Sequence, residues 1–162
     1  MTRPIEMTAI GVIHSPYHDH NDIPIQGRFK PEAKGWLELE KEYEDGLKDL
    51  EGFSHAILLY HFHASDKVTM TGQPYLENEP HGIFAIRSPH RPNHIGLSVV
   101  HIIRIQGNRM HFTNVDMLDG TPLLDIKPYS THFDCFNDAK CGWIDKHFAA
   151  GAIPDKAVKK GF

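Results

Sequence analysis

The amino-acid sequence predicts a single, mostly β domain of the barrel type with one or two short helices. Short apolar runs alternate with polar turns along most of the 162 residues, which is typical of small antiparallel barrels. Residues 102–105 and 110–115 flank the turn Gln106-Gly107-Asn108-Arg109 and are expected to form a hairpin. A chain of this length can bury one substantial core.

Further elements are predicted at residues 5–13 (strand), 35–39 (strand), 41–50 (helix) and 53–62 (strand). The second of these alternates apolar and charged side chains, as a half-exposed strand does. In the helix, Tyr43, Leu47 and Leu50 have helical spacing. The last segment, FSHAILLYHF, is the most apolar run and is expected to be a central buried strand.

The stretch GIFAIRSPHRPNHIGLS lies at the centre of the predicted site. It begins with an apolar run at 83–86 that predicts a strand, turns through the polar loop 87–94, and continues as a strand at 95–103. Two prolines restrict the backbone of the loop. Arg87 and Arg91 offer guanidinium donors suited to phosphate or carboxylate. The loop is therefore predicted to be rigid and to face an anion, and a solvated surface loop is the alternative.

Composition limits the classes of function. The hydrophobic content of 40% and charged content of 23% are those of an ordinary globular protein. A formal net charge of −4 argues against a protein that coats nucleic acid non-specifically, although an enzyme with a local basic patch stays possible. The sequence has no long apolar run or signal-peptide pattern, so the cytoplasm is the expected compartment. Cys135 and Cys141 are expected to be reduced thiols.

Two further segments carry chemistry-bearing side chains. The long polar stretch 18–34 includes Gln26-Gly27-Arg28, where a glycine permits close backbone approach. Asp119-Gly120-Thr121-Pro122 predicts a sharp turn, and Asp125 and Lys127 follow it at the spacing of one strand face. Each segment also fits a purely structural role. The histidine pairs His18/His20 and His61/His63 leave a metal-dependent enzyme as a further alternative, but no metal site is predicted.

Several of these motifs, in this order, resemble the TsaA-like family, which includes TrmO-type tRNA methyltransferases. The matching stretches are GVIHSPY (11–17), LEGFSH (50–55), FAIRSP (84–89), RPN (91–93), DGTP (119–122) and DIKPY (125–129). The resemblance runs over about residues 8–145. It implies a TsaA-like β-barrel domain over residues 1–145, followed by a tail at 146–162, in a short form without the further C-terminal domain of longer members. Family members commonly have proline where this chain has His94.

The resemblance implies a cytoplasmic, dimeric enzyme that uses S-adenosylmethionine to methylate N6 of threonylcarbamoyl-adenosine at tRNA position 37. The absence of a G-x-G-x-x-G motif agrees with a methyltransferase that is not doubly wound. The implied cofactor-binding residues are Gln26, Gly27, Arg28, His63, Ala64, Arg87, Leu97, Met117, Leu118, Asp119 and Gly120. From charge and hydrogen-bonding capacity, we expect Arg87 to meet the methionine carboxylate and Asp119 the adenosine end.

The acceptor nitrogen needs a group that takes its proton, because its lone pair is delocalised into the carbamoyl group. The candidate catalytic residues are His63, Asp119, Asp125 and Tyr129. The candidate substrate-binding residues are Arg91, Asn93 and Lys127. Arg91 and Lys127 are expected to form a basic rim with Arg28 and Lys30 that contacts RNA phosphates. Two alternatives stay open: a methyltransferase acting on another RNA or a small molecule, and a non-catalytic module that binds S-adenosylmethionine.

Overall fold

Six antiparallel strands close into a barrel in the computed structural model, which describes residues 3–148, 151 and 153–158. In chain order the strands are β1 (Gly11–His14), β2 (Lys34–Leu39), β3 (His55–His61), β4 (Thr71–Gly72), β5 (His81–Gly82), β6 (Ile95–Gln106), β7 (Arg109–Thr113) and β8 (Thr121–Pro128). The barrel order is β1-β2-β7-β6-β3-β8, and β4 pairs with β5 alone. The predicted mostly β barrel and the β6–β7 hairpin are confirmed.

Alternation along the strands builds the core. In β3, the side chains of Ala56, Leu58 and Tyr60 point inward and are buried, while their neighbours face outward. The fully buried side chains include Ile13, Leu37, Leu58, Val100, Met110, Phe112 and Leu123. Burying each large apolar side chain stabilises the fold by about 1.5–3 kcal/mol relative to its exposure. A register shift between Ile102 and Arg104 interrupts the alternation in β6.

Three local predictions are corrected by the structure. Residues 83–86 do not form a strand, because Ile83–Ala85 is a 3₁₀ turn that buries Ile83 and Ile86 three residues apart. The helix predicted at 41–50 is a 3₁₀ segment (Lys41–Leu47), and a second 3₁₀ turn follows at Leu50–Gly52. Between them, Asp49 has a left-handed backbone (φ 65°), which interrupts helical geometry. The first strand is limited to β1.

Among the described residues after the barrel, three one-turn α-helices form, α1 (Thr131–Asp134), α2 (Asp145–Phe148) and α3 (Asp155–Val158), with a 3₁₀ turn at Gly142–Ile144. No helix in the described ranges has the length and apolar character that crossing a membrane requires. Residues 149, 150, 152 and 159–162 of the predicted tail lie outside the described residues.

The barrel has two ends, which we call upper and lower. The loops 15–33, 62–94 and 114–120 lie at the upper end, where β1, β3 and β7 finish and their antiparallel partners begin. The segments 40–54 and 107–108 lie at the lower end, as does the residue directly after β8, Tyr129. This division decides which side chains can act together, because a barrel filled with core side chains separates its two ends.

The segment after residue 140 packs against two loops of the upper end. The indole N–H of Trp143 donates to the carbonyl of Ala85 (2.9 Å), and its ring stacks on His81 at a centroid distance of 4.7 Å. Further along, the backbone N–H of Ile25 donates to the carbonyl of Ala157 (3.1 Å), and Ala157 is fully buried. The segment therefore contacts both the 83–87 and the 23–29 regions.

A buried carboxylate holds the near part of this segment. Glu77 accepts hydrogen bonds from His81, Lys146 and His147. The pKa of Glu77 is lowered to about 2, first because of the bond from Lys146 and then because of that from His81. A carboxyl whose pKa falls on folding stabilises the folded form above its unfolded pKa, near 4.5, and this contribution disappears as the pH approaches 2.

We predict that the Glu77→Gln variant loses this pH-dependent docking, because the amide keeps the shape of the carboxylate without its charge. Trp143 emission in a Trp36→Phe background reports the docking. In the parent protein the emission should change between about pH 4.5 and 2. In the variant the emission should already be that of the undocked indole at pH 7. An identical pH profile in both proteins would contradict the assignment.

Candidate active site

The upper end of the barrel gathers most of the predicted site residues. The loops at this end carry Gln26, Gly27, Arg28, His63, Ala64, Arg87, Arg91, Asn93, Met117, Leu118, Asp119 and Gly120. Leu97 lies near the start of β6, where it points outward and is 43% exposed. Residues from four separate parts of the sequence therefore meet at one surface.

A hydrogen bond joins two of these loops directly. The Nη1 group of Arg87 donates to Oε1 of Gln26 (2.7 Å), and Nε2 of Gln26 donates to the carbonyl of Ile25 (2.7 Å). A guanidinium has five N–H donors, so Arg87 keeps further donors beyond this bond. That Arg87 binds an anion remains a prediction.

Asp116 connects the same loop to the barrel wall. One carboxylate oxygen accepts from the backbone N–H of Gly27 (2.8 Å), and the other accepts from the hydroxyl of Ser98. Because the single Ser98 proton is used in this bond, the hydroxyl of Tyr60 must donate to Ser98 Oγ, 3.0 Å away. Ser98 and Tyr60 are buried, and burial raises the pKa of Tyr60 far above its ordinary value. The tyrosine therefore remains a neutral donor.

Gly27 is required by the space around this contact. A Cβ atom at position 27 would lie 1.7 Å from the carbonyl oxygen of Asn114. Because that oxygen belongs to the backbone, a side chain at position 27 would displace the loop. The loop 26–28 therefore packs on residues 114–116 more closely than any residue except glycine allows.

Asp119 lies in the predicted turn at the mouth of the barrel. Its backbone N–H donates to the carbonyl of Tyr17 (2.8 Å), and that of Gly120, with φ 77°, donates to the carbonyl of Ile13 (2.9 Å). The carboxylate accepts from the backbone N–H of Ser15 (3.1 Å) and lies 3.4 Å from Nδ1 of His14. About one third of its side-chain surface is exposed. The carboxylate is thus fixed in place and still open to a ligand.

The loop 87–94 is held by its own hydrogen bonds. Nη1 of Arg91 donates to the carbonyl of Ile86 (2.9 Å), and Nδ1 of His94 donates to the carbonyl of Pro89 (2.9 Å). Asn93 and His94 both have left-handed backbones, with φ values of 64° and 49°. Proline is confined to φ near −65° and could not adopt the conformation of His94. A loop with proline at position 94 would follow a different path.

Tyr17 has a buried hydroxyl that contacts no hydrogen-bonding partner among the described residues. The side chain is 4% exposed, and the ammonium of Lys30 lies 5.3 Å from the centre of its ring. Burial, and then the carboxylates of Glu32 and Asp116, raise the pKa of Tyr17. An unpaired buried hydroxyl costs about 1–3 kcal/mol, so it is a candidate contact for a polar group of a ligand.

Three predicted site residues lie away from this cluster. Asp125 forms an ion pair with Lys127 (2.8 Å) on the outer face of β8. Tyr129 follows β8 at the lower end, where its ring lies 6.1 Å from that of His55. The structure does not bring these side chains together with Asp119, and their roles remain predictions.

Reasoning from the sequence missed five residues of the cluster: His14, Tyr17, Tyr60, Ser98 and Asp116. Asp116 directly precedes the predicted 117–120 segment, and Ser98 is a hydroxyl inside an apolar strand. A hydroxyl in an apolar strand, such as that of Ser98, needs a polar partner when it is buried. This was the only signal in the sequence that could have indicated a buried network.

Comparison with known proteins identifies the family. A family model described as the tRNA-methyltransferase O N-terminal domain matches residues 12–135. The chain belongs to this family. The predicted TsaA-like, TrmO-type relationship is confirmed.

Relatives of the chain include proteins named for S-adenosyl-L-methionine. A probable S-adenosyl-L-methionine-binding protein of Pyrococcus abyssi is 47% identical over 138 residues, which covers 85% of the chain and 75% of the relative. A tRNA (adenine(37)-N6)-methyltransferase of Mus musculus is 35% identical over 132 residues, which covers 77% of the chain and 31% of the mouse protein. These names agree with the predicted cofactor.

The fold is also that of solved members of the family. TrmO from Pseudomonas aeruginosa superposes with a TM-score of 0.74 at 37% identity. The match covers 88% of this chain and 63% of the solved chain, so this chain spans less than two thirds of that protein.

We predict that Asp116→Asn lowers the free energy of unfolding by about 1–3 kcal/mol, because an amide has one acceptor oxygen for two donors. Ser98→Ala removes one of those donors. The double variant should therefore be destabilised by less than the sum of the single variants in urea unfolding. Strict additivity would show that Asp116 and Ser98 do not share a network.

Proposed function

We propose that the chain is an S-adenosylmethionine-dependent methyltransferase that methylates N6 of N6-threonylcarbamoyladenosine at position 37 of tRNA. Family membership and the names of the relatives support the reaction class. The observation that carries the proposal is the convergence of Arg87, the 26–28 loop and Asp119 at the upper end of one barrel.

The side chains at the upper end fit the chemistry of this cofactor. Arg87 would hold the methionine carboxylate with the donors that Gln26 leaves available. Asp119 would accept from hydroxyl or amino groups, and the unpaired hydroxyl of Tyr17 would meet a further polar atom. When bound, S-adenosylmethionine supplies a methyl group on a positively charged sulfur.

The protein must also place the acceptor nitrogen and remove its proton. Transfer of the methyl group from sulfur to N6 would release S-adenosylhomocysteine, and the N6 proton would have to pass to an acceptor on the protein. We assign this role to Asp119, with His14 beside it (3.4 Å) as a partner for the carboxylate. His63 is the second candidate at the same end. Asp125 and Tyr129 are less suited because they lie away from the upper-end cluster.

The upper end of the barrel also carries the side chains proposed to bind tRNA. Arg28, Lys30 and Arg91 lie in upper-end loops and would form the basic rim for tRNA, whereas Lys127 is on β8.

We also propose that the protein is a homodimer. Ile95 and Leu97 support it, because they are 37% and 43% exposed on the outer face of β6. The cytoplasm is the proposed compartment.

A non-catalytic S-adenosylmethionine-binding module is the second candidate. It is favoured by the names of the relatives from Pyrococcus abyssi and Archaeoglobus fulgidus, which mention binding alone. A methyltransferase acting on a different RNA or a small molecule shares the cofactor site and differs in its acceptor.

We expect label from S-adenosylmethionine to enter tRNA from cells that make the threonylcarbamoyl modification and not tRNA from cells that lack it. The physical reason is that the carbamoyl substituent is part of the acceptor. Equal labelling of both pools would indicate another acceptor. Cofactor binding without labelling of either would favour the binding module or a small-molecule acceptor.

The Asp119→Asn variant tests the proposed proton acceptor in the same assay, because it keeps the size of the side chain and removes the basic carboxylate. Loss of a general base slows proton transfer by about 10²–10⁴-fold. The turnover number at saturating S-adenosylmethionine should fall on this scale, and the affinity for S-adenosylhomocysteine, measured separately, reports the loss of the cofactor contact. Unimpaired turnover would transfer the role to His63.

A further inference from the structure

A row of aromatic and basic side chains crosses the outer face of the barrel. Strand register places His14 of β1 opposite Trp36 of β2, Trp36 opposite His111 of β7, and His111 opposite Arg104 of β6. His14, Trp36 and His111 point outward, because their strand neighbours Ile13, Leu37, Met110 and Phe112 are buried in the core. Arg104 is exposed and is the register partner of His111. We call these four residues the outer row.

The rings of the outer row pack against one another. His14 and Trp36 are stacked, with a centroid distance of 3.9 Å and an interplanar angle of 17°. The ring of His111 lies 6.4 Å from that of Trp36 at 30°. The guanidinium of Arg109 lies 4.9 Å from the centre of the Trp36 ring. Packed rings of this kind lose little conformational freedom when a further planar group is added to the stack.

The surface beside the row is positively charged, although the chain has a formal net charge of −4. Lys34, Arg104 and Arg109 are exposed on this face, and Glu38 is the carboxylate that pairs with Arg109 (3.1 Å). Within the part of the chain that the structure describes, neither Lys34 nor Arg104 takes part in an ion pair. Both cations are therefore available to phosphate groups.

The outer row also leads into the candidate active site. His14 lies 3.4 Å from the carboxylate of Asp119. In the barrel, β1 lies between β2, which carries Trp36, and β8, which follows the turn that carries Asp119. A planar base that continues the stack beyond His14 would therefore lie next to the proposed proton acceptor.

We propose that the outer row and its flanking cations bind a single-stranded segment of RNA whose next base enters the site at Asp119. The inference rests on the proposed function and adds the surface along which its substrate runs. Unpaired bases expose the ring faces that stacking requires, whereas a duplex conceals them. Phosphates match the cations Lys34 and Arg104.

The protonation of His111 agrees with stacking. Burial, and then the cations Arg104 and Arg109, lower the pKa of His111. The ring is therefore neutral at pH 7. A neutral imidazole can stack without adding to the charge that the three neighbouring cations already provide.

The proposal is tested by RNA binding with the full chain, using a fluorescently labelled single-stranded RNA of about ten nucleotides. Trp36→Ala should weaken binding by roughly 5- to 100-fold, the effect of losing one stacking side chain. Arg104→Ala should reduce the slope of log affinity against log salt by about 0.7, as expected for one phosphate contact. Lys48→Ala, at the lower end, removes an exposed cation elsewhere and should leave both quantities unchanged.

Each of these binding measurements either supports or overturns the proposed RNA-binding surface. Full affinity and an unchanged salt slope in Trp36→Ala and Arg104→Ala would overturn the proposal, as would an equal loss in Lys48→Ala or no RNA binding by the parent protein at low salt. If Trp36→Ala does not fold, Arg104→Ala and His111→Ala still decide, because they change outward-facing groups. Methyl transfer is scored separately by its product, so failure of the surface is distinct from failure of the proposed reaction.

Discussion

The carboxylate of Asp116 is the contact on which the geometry of the upper end depends. It accepts from the backbone of Gly27 and from the buried hydroxyl of Ser98, which is in turn bonded to Tyr60. The network therefore ties a surface loop to the barrel wall. Gln26, the neighbour of Gly27, accepts from Arg87 and so orients the guanidinium. Without Asp116, the loop would lose its bond to the barrel wall and keep the close packing of Gly27 on residue 114 and the bond from Arg87.

The interior and the upper end of the barrel differ in their side chains and in what those side chains do. The interior is mostly apolar, because the strand residues alternate between core and solvent except at register shifts such as the one in β6. The upper end carries the polar network and the carboxylate of Asp119. The segment after residue 140 contacts the two loops that hold Gln26 and Arg87, through Ala157 and Trp143. The arrangement of that end thus depends on contacts between parts of the chain that are far apart in sequence.

The sequence predicted the barrel because strand alternation and turn residues are local signals. It was wrong at 83–86, where a four-residue apolar run fits either a strand or a turn that buries every third residue. The positions of the cofactor loops came from the resemblance to a family. The bond between Asp116 and Gly27 spans 89 residues, and no local pattern reports such a contact. For the same reason, the sequence made Asp119 and Asp125 equal candidates for the catalytic residue, although Asp125 lies on β8, away from the upper end.

If the upper end binds the cofactor, titration with S-adenosylhomocysteine should change the amide chemical shifts of that end. We expect the largest changes at Gly27, Arg87 and Asp119, since these residues form the proposed site. Small changes are expected at Leu50 and Phe53, which line a groove at the lower end. Large changes at the lower end, with none at the upper end, would show that the cofactor binds elsewhere.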